Sequence, residues 1–320
     1  INKIYSNGFA KLPVGKVRYG LMLREDGLVM DDGTTARMGE RHFIMTTTTM
    51  NAESVYRHLE FCRQCLWPEM DVRLISTTDA WAQIAIAGPK SRKIMSKIVD
   101  KQFDISNENF PFMACKELTI CGGITARLFR ISFSGELAYE LSIPTQYASS
   151  LLTHLMEVGK EDNIVPYGTE ALGVMRIEKG HAAGAELNGT ISALNLNMSK
   201  MVSDKKDSIG MILSKREGLS LSNGLRLVGL KPLNPNIQIV SGSHLFNQND
   251  KKSPENDHGY VTSSCYSPTV NSYIALGFLK NGTKRYGEKI KISNPILKKE
   301  SLAEVCNPIF VDPNGDKLRV

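Results

Sequence analysis

The stretch YGLMLREDGLVMDDGTTARMGERHFIMTT, Tyr19 to Thr47, decides the first part of the fold. It contains three short apolar runs separated by Asp-Gly and Gly-Glu, which are typical of turns between paired strands. The second run ends in Asp31 and Asp32. Because successive side chains of a strand face opposite sides, one of these carboxylates has to point inward, which is costly unless it is paired or protonated. A hairpin turn at Asp32-Gly33 is the alternative explanation of the same residues.

The chain then repeats a pattern of strands followed by a helix. A helix is predicted from about Ala52 to Cys65, with Asn51 as its N-cap. Residues 81–100 predict a strand, a turn and a helix, with Pro89 at the first helical position. Residues 124–161 predict two strands around SGEL and another helix. The two halves therefore predict an α+β fold of two hairpin-plus-helix, ferredoxin-like units.

The C-terminal third has a different character. A helix from about Gly168 to Lys179 is predicted, and after about Gly218 short β-prone runs alternate with turns. These runs predict a separate all-β barrel or sandwich. We therefore expect an α+β domain over residues 1–217 and a small β-barrel domain over residues 218–320.

Composition and motifs exclude several classes of function. No apolar run reaches the roughly 20 residues that a membrane span needs, and a net charge of +6 is too small to indicate nucleic-acid binding. The six cysteines include one C-x-x-C, Cys62 to Cys65, without a second ligand pair, so no metal site is predicted and a reducing, cytoplasmic location is expected. The sequence also lacks the common dinucleotide, ATP-phosphate and zinc-protease motifs.

Glu140 raises the same question as the two aspartates. It lies in the β-prone run GELAYELSI, where Tyr139 and Leu141 would share one face and Glu140 the other. A solvent-facing Glu140 is the simplest interpretation. If it is buried, its carboxylate requires a planar pair of N–H donors, such as an arginine or the amino edge of a pterin.

Together these residues resemble the folate-dependent aminomethyltransferases, the T-proteins of the glycine cleavage system. They resemble even more the C-terminal domains of the α subunits of heterotetrameric sarcosine oxidases. The resemblance runs through the whole chain in order, although its start looks truncated. The segments that carry it are residues 9–49, NFPFMACKELTI, RISFSGELAYELSIP, PYGTEALGVMRIEKGHAAG, SDKKDSIG and NPIFVDPNGDKLRV.

The resemblance implies a site. The second Asp of the family's Asp-Asp motif corresponds to Asp32, the expected catalytic residue, and the family's pterin-binding Glu corresponds to Glu140. Tyr19 and Phe133 match two aromatic positions of the folate site, and Thr48 is the best match where T-proteins carry an Asn near the ligand. The family's Arg in the G-x-x-A-R-D segment is replaced by Leu172, so contacts with the folate tail do not carry over.

The resemblance also implies a reaction. Tetrahydrofolate would capture formaldehyde, or the equivalent imine, from sarcosine oxidation, and Asp32 would stabilise the positive charge that develops and move a proton. FAD or FMN and NAD would be held only by the missing N-terminal part of the α subunit or by the β, γ and δ subunits. Two alternatives stay open: a stand-alone aminomethyltransferase or folate-dependent demethylase, and a non-catalytic folate-binding or assembly module.

Overall fold

The stretch from Tyr19 to Thr47 forms a three-stranded sheet in the computed structural model, which describes residues 1–320. Its strands, in spatial order, are β1 (Lys16–Leu23), β2 (Val29–Arg37) and β3 (Phe43–Met45). β2 and β3 are antiparallel, with Ala36 opposite Ile44. The alternative explanation, a hairpin turn at Asp32-Gly33, is wrong, because β2 continues through both residues.

The predicted helix after this sheet is present. It consists of α1 (Ala52–Phe61) and a π-helical turn at Cys62–Leu66. Asn51 occupies the N-cap position, as predicted, but its side chain makes no cap hydrogen bond and instead donates to Asp31.

The second sheet has four antiparallel strands in the order β4-β7-β6-β5. They are β4 (Trp81–Ala87), β5 (Cys115–Ile120), β6 (Ile124–Phe129) and β7 (Ala138–Pro144). β4 therefore pairs with β7, which is more than 50 residues away along the chain. Two helices accompany this sheet, α2 (Ser91–Ile98) and α3 (Ala148–Val158). The prediction that Pro89 is the first helical residue was wrong, because α2 begins two residues later, at Ser91. The N–H of Ser91 donates to the Gly88 carbonyl and closes the turn that precedes the helix.

Both helices pack on one face of the four-stranded sheet. The alternation predicted for β7 is present: Tyr139, Leu141 and Ile143 are fully buried, while Glu140 lies on the other face and is half-buried. α2 and α3 contribute Met95 and Leu155 to the same core, which forms because each element has one apolar side.

The C-terminal part contains the predicted helix and a closed six-stranded barrel in the order β10-β11-β8-β13-β12-β9. Its helices are α4 (Thr169–Glu178) and α5 (Glu217–Ser220), and its strands are β8 (Leu225–Pro232), β9 (His244–Asn247), β10 (Gly259–Ser267), β11 (Ser272–Lys280), β12 (Lys289–Asn294) and β13 (Lys299–Cys306). None of the five helices is both long and apolar enough to cross a membrane. The α+β fold with a C-terminal β-barrel is thus confirmed.

A buried charged network connects α4 to the barrel strand β10. Arg176 donates to Glu186 at 2.8 Å and to Ser263 at 2.7 Å, and Ser263 donates to the other carboxylate oxygen of Glu186 at 2.7 Å. Glu186 is fully buried, so these hydrogen bonds compensate for the loss of its hydration.

The contacts divide the chain into two units. The first contains both sheets and consists of Ile1–Met22, Asp31–Pro166 and Gly315–Val320; the second contains the barrel and consists of Leu23–Met30 and Tyr167–Asn314. The domain boundary at residue 217, taken from composition, stays a prediction.

Candidate functional site

Asp32 and Tyr19 meet on the three-stranded sheet. The Tyr19 hydroxyl donates a 2.7 Å hydrogen bond to Oδ2 of Asp32, and both residues are half-buried. They lie on neighbouring strands, β1 and β2. Side chains that meet in this way lie on the same face of a sheet. The sequence therefore identified two residues that the fold brings into contact.

Asp31 lies on the opposite face of β2 and is fully buried. Its Oδ2 accepts the backbone N–H of Thr48 at 3.1 Å, and its Oδ1 accepts the side-chain amide of Asn51 at 3.0 Å. The inward carboxylate that the sequence required is therefore Asp31. Neither Asp31 nor Asn51 was among the predicted site residues, although strand alternation already required one buried Asp.

Thr48 contacts both carboxylates. Its N–H binds Asp31, and its hydroxyl lies 3.4 Å from Oδ1 of Asp32. The second distance is longer than that of a strong O–H···O hydrogen bond.

The environment of Asp32 controls its proton. Burial raises the pKa of Asp32 above its ordinary value, and the neighbouring charge of Asp31 adds to this effect. The hydrogen bond from Tyr19 opposes the rise, because it stabilises the carboxylate. Burial and the charge of Asp32 raise the pKa of Tyr19 far above its ordinary value, so its hydroxyl stays protonated and remains a donor. Asp32 can therefore exchange a proton closer to neutral pH than an exposed aspartate.

Gly33 allows the polypeptide to come close to Asp32. A Cβ atom at this position would lie 2.0 Å from the carbonyl oxygen of Thr46. Only glycine fits this approach, and Thr48 follows two residues after Thr46. Gly33 thus lets the segment after β3 pass close to β2.

The face that carries Asp32 is directed towards the second sheet. Asp32 and Ala36 lie on the same face of β2 by alternation, and Ala36 packs with Val17 of β1 and Phe129 of β6 in one buried cluster. Phe129 is directly opposite Glu140 in the β6–β7 pair, so these two share a face as well. Asp32 and Glu140 are therefore on the two sheet faces that pack together at Ala36 and Phe129.

Glu140 is half-buried and accepts a short hydrogen bond from Gln83 of β4. Burial raises the pKa of Glu140 to about 7, against the effect of Gln83, which lowers it. Glu140 is not the freely solvated glutamate of the simplest interpretation. Gln83, which the β4–β7 pairing brings next to Glu140, is a partner that the sequence did not reveal.

Two other predicted positions are less informative. Phe133 follows β6, and 40% of its surface is exposed. Its role in binding stays a prediction. Leu172 lies in α4 and is half-buried, so no charge is available at this family position.

The six cysteines are free, and no group of three His, Cys, Asp or Glu side chains is arranged to hold a metal ion.

Family models match the chain in two parts. The GCVT N-terminal domain matches residues 1–206, and the glycine cleavage T-protein C-terminal barrel domain matches residues 226–312. The second match covers the closed barrel from β8 to β13, and the first covers both sheets with the candidate site.

Individual relatives carry two kinds of name. The sarcosine oxidase subunit alpha of Rhizobium meliloti (strain 1021) is 52% identical over 100% of this chain, and that of Corynebacterium sp. (strain P-1) is 38% identical over 99%. The chain spans only about a third of these relatives, 32% and 33% of their lengths. The aminomethyltransferase of Thermoanaerobacter sp. (strain X514) is 28% identical over 91% of the chain and 76% of its own length.

A solved structure has the same fold. The glycine cleavage system aminomethyltransferase T from Bartonella henselae matches with a TM-score of 0.81, covering 98% of this chain and 80% of that one. The identity is 21%, so this likeness concerns the fold alone.

Proposed function

Because the chain belongs to the glycine cleavage T-protein family, we propose that it binds tetrahydrofolate and transfers a one-carbon unit to it. The observation that carries this proposal is the half-buried carboxylate of Asp32, which is hydrogen-bonded to Tyr19 and faces the sheet that bears Glu140. Two carboxylates of raised pKa on sheet faces that pack together are an arrangement suited to proton transfer and charge stabilisation.

The residues around Glu140 fit a pterin. The ionised carboxylate has about four acceptor positions, and Gln83 uses one of them. The amino edge of a pterin offers two parallel N–H donors, which a carboxylate can accept together. We therefore assign Glu140 to orient the ring, with Gln83 holding the carboxylate in place, and Phe133 to supply an apolar wall.

Asp32 would act at the reacting carbon. Bound tetrahydrofolate supplies the nucleophilic nitrogens that take up the carbon unit. The carboxylate of Asp32 stabilises the positive charge that develops there and takes up or returns a proton. Its partial burial strengthens this electrostatic effect relative to water. Tyr19 and Thr48 keep the carboxylate in one orientation.

For the source of the carbon, we propose sarcosine oxidation elsewhere in a larger protein. The names of the relatives that are 52% and 38% identical support this source. The overall reaction would convert sarcosine, O2 and tetrahydrofolate into glycine, H2O2 and 5,10-methylenetetrahydrofolate. This chain would perform the last part, in which formaldehyde and tetrahydrofolate give the methylene product and water. The flavin and NAD would be bound by the rest of the α subunit or by the β, γ and δ subunits, in the cytoplasm.

Calorimetric titration of the purified protein with folinic acid tests the binding step. We expect saturable binding to one site in a sample whose circular dichroism shows a folded chain. A folded sample that releases no heat of binding and retains no folinic acid in equilibrium dialysis would contradict the proposal. Co-purification with flavin-bearing subunits would support the sarcosine source, whereas methyl transfer from a free donor would favour a stand-alone aminomethyltransferase.

A further inference from the structure

We propose that Asp31 is a positioning residue of this site, which fixes the segment after β3 so that the Thr48 hydroxyl stays within reach of Asp32. This inference rests on the proposed function. Each oxygen of Asp31 binds a different point of the segment: Oδ2 accepts the N–H of Thr48 at 3.1 Å, and Oδ1 accepts the amide of Asn51 at 3.0 Å. The carboxylate is fully buried, so both hydrogen bonds are shielded from competing water.

The segment that Asp31 binds is a short turn that leads from β3 into α1. Thr49–Asn51 form one turn of 3-10 helix, which the N–H of Asn51 closes by donating to the Thr48 carbonyl at 3.0 Å. None of the three residues is buried, and 89% of the Met50 surface is exposed. The turn continues directly into α1, but no apolar side chain of its own is buried, so side-chain hydrogen bonds help to fix its position. The two hydrogen bonds to Asp31 therefore anchor the turn at both ends.

The adjacency of the two aspartates then has a physical reason. Strand alternation places Asp31 behind β2 and Asp32 in front of it. Thr48 reaches both, with its N–H on one carboxylate and its hydroxyl on the other. Asp31 thus holds the turn, and its neighbour Asp32 contacts the Thr48 hydroxyl that the turn presents. An asparagine at position 31 would offer one acceptor where two donors arrive, and its own N–H would face one of them.

A double-mutant cycle tests this assignment in the protein that carries this chain. Asp31→Asn, Thr48→Val and the double variant are compared with the wild type for the kcat and KM of methylenetetrahydrofolate formation. Loss of one such contact costs about a factor of ten in kcat, with the KM for tetrahydrofolate nearly unchanged. If Asp31 acts through the Thr48 hydroxyl, the double variant loses about tenfold in total. A loss of about a hundredfold would mean independent roles and would overturn the proposal.

Amide hydrogen exchange of residues 46–51 gives a readout that does not need activity. Asp31→Asn should accelerate exchange at Thr48, because the N–H loses its buried acceptor. Thr48→Val keeps this N–H and should leave exchange at position 48 unchanged. Protection in β7, which lies on the other sheet, should be the same in all variants. Unchanged exchange at Thr48 in Asp31→Asn would overturn the proposal, whatever the activity.

The two proposals fail in different ways. If the wild-type protein forms no methylenetetrahydrofolate, the proposed function fails, while exchange at Thr48 still shows whether Asp31 anchors the turn. If Asp31→Asn does not fold, Asn51→Ala replaces it, because this variant keeps the buried carboxylate and removes one donor. Faster exchange at Thr48 with lowered kcat is then expected, and unchanged values of both would contradict the assignment.

Discussion

The phenolic hydroxyl of Tyr19 lies 2.7 Å from Oδ2 of Asp32 and donates a hydrogen bond across the β1–β2 pair. This contact opposes the effect of burial on Asp32, because a donor stabilises the charged form of a carboxylate. The pKa of Asp32 is thus raised by burial and by the charge of Asp31, while a donor from the neighbouring strand β1 lowers it. The chemistry proposed for the site depends on this balance.

Replacement of Asp32 by Asn should separate binding from chemistry. We expect folinic acid to bind with nearly the same affinity, while methylenetetrahydrofolate formation falls by about a hundredfold or more and free formaldehyde accumulates. Product and formaldehyde are measured in the same reaction. Asp204→Asn is the control, because Asp204 is largely exposed and pairs only with Lys215 at the surface. Unchanged product formation in Asp32→Asn would support a non-catalytic module.

Replacement of Tyr19 by Phe should change the pH profile. The variant loses a hydrogen bond that lowers the pKa of Asp32, so the acidic limb of kcat should move to higher pH. At neutral pH we expect a loss of about 1 kcal/mol of transition-state stabilisation, or about fivefold in rate. Tyr266→Phe, which removes a surface hydrogen bond to Asn271, is the control. A profile that falls in height without moving would argue against this role of Tyr19.

Replacement of Glu140 by Gln should weaken folate binding. A glutamine cannot accept two N–H donors at once as a carboxylate does, and the expected cost is about 1–3 kcal/mol, or roughly 5- to 150-fold in Kd. Calorimetric titration with folinic acid measures the change. Glu157→Gln on the exposed side of α3 serves as the control. Equal affinities of wild type and Glu140→Gln would remove Glu140 from the site.

Glu140 should also make stability depend on pH. Its folded-state pKa is raised from 4.5 to about 7, so between these values the folded protein holds a proton that the unfolded chain has released. Stability therefore falls as pH rises through this window, by at most about 3 kcal/mol. Melting temperatures of wild type and Glu140→Gln should diverge in favour of the variant between pH 5 and pH 8. Parallel curves would show that Glu140 is ionised in the folded protein throughout.

Gly33→Ala should destabilise the first sheet. The added Cβ would lie 2.0 Å from the Thr46 carbonyl, so β2 and the following segment would have to separate, at a cost of about 2 kcal/mol or more. Gly173→Ala in α4 is a matched control, because no atom lies within 4 Å of its added Cβ. The control should be neutral or more stable by up to about 1 kcal/mol, since alanine favours helix. Thermal unfolding compares the two, and an equally stable Gly33→Ala would show that the backbone yields easily.

Most elements of this fold could be predicted because their signals are local. Apolar alternation and turn dipeptides marked β1, β2 and β3, and helical periodicity marked α1, α3 and α4. The pairing of β4 with β7 could not be predicted in the same way, because it joins residues such as Gln83 and Ser142 that are distant in sequence. For this reason Gln83 was missed as the partner of Glu140.

By itself, the sequence determined that two adjacent carboxylates had to face opposite sides of one strand, and its resemblance to a family selected Asp32. Only the tertiary structure decided which of the two is buried. Asp31 is enclosed because Thr48 and Asn51 bring two donors to its side of β2, while Asp32 faces Tyr19 and the second sheet. The reason is physical: alternation is a property of the local backbone, but burial depends on which distant segments pack against each face.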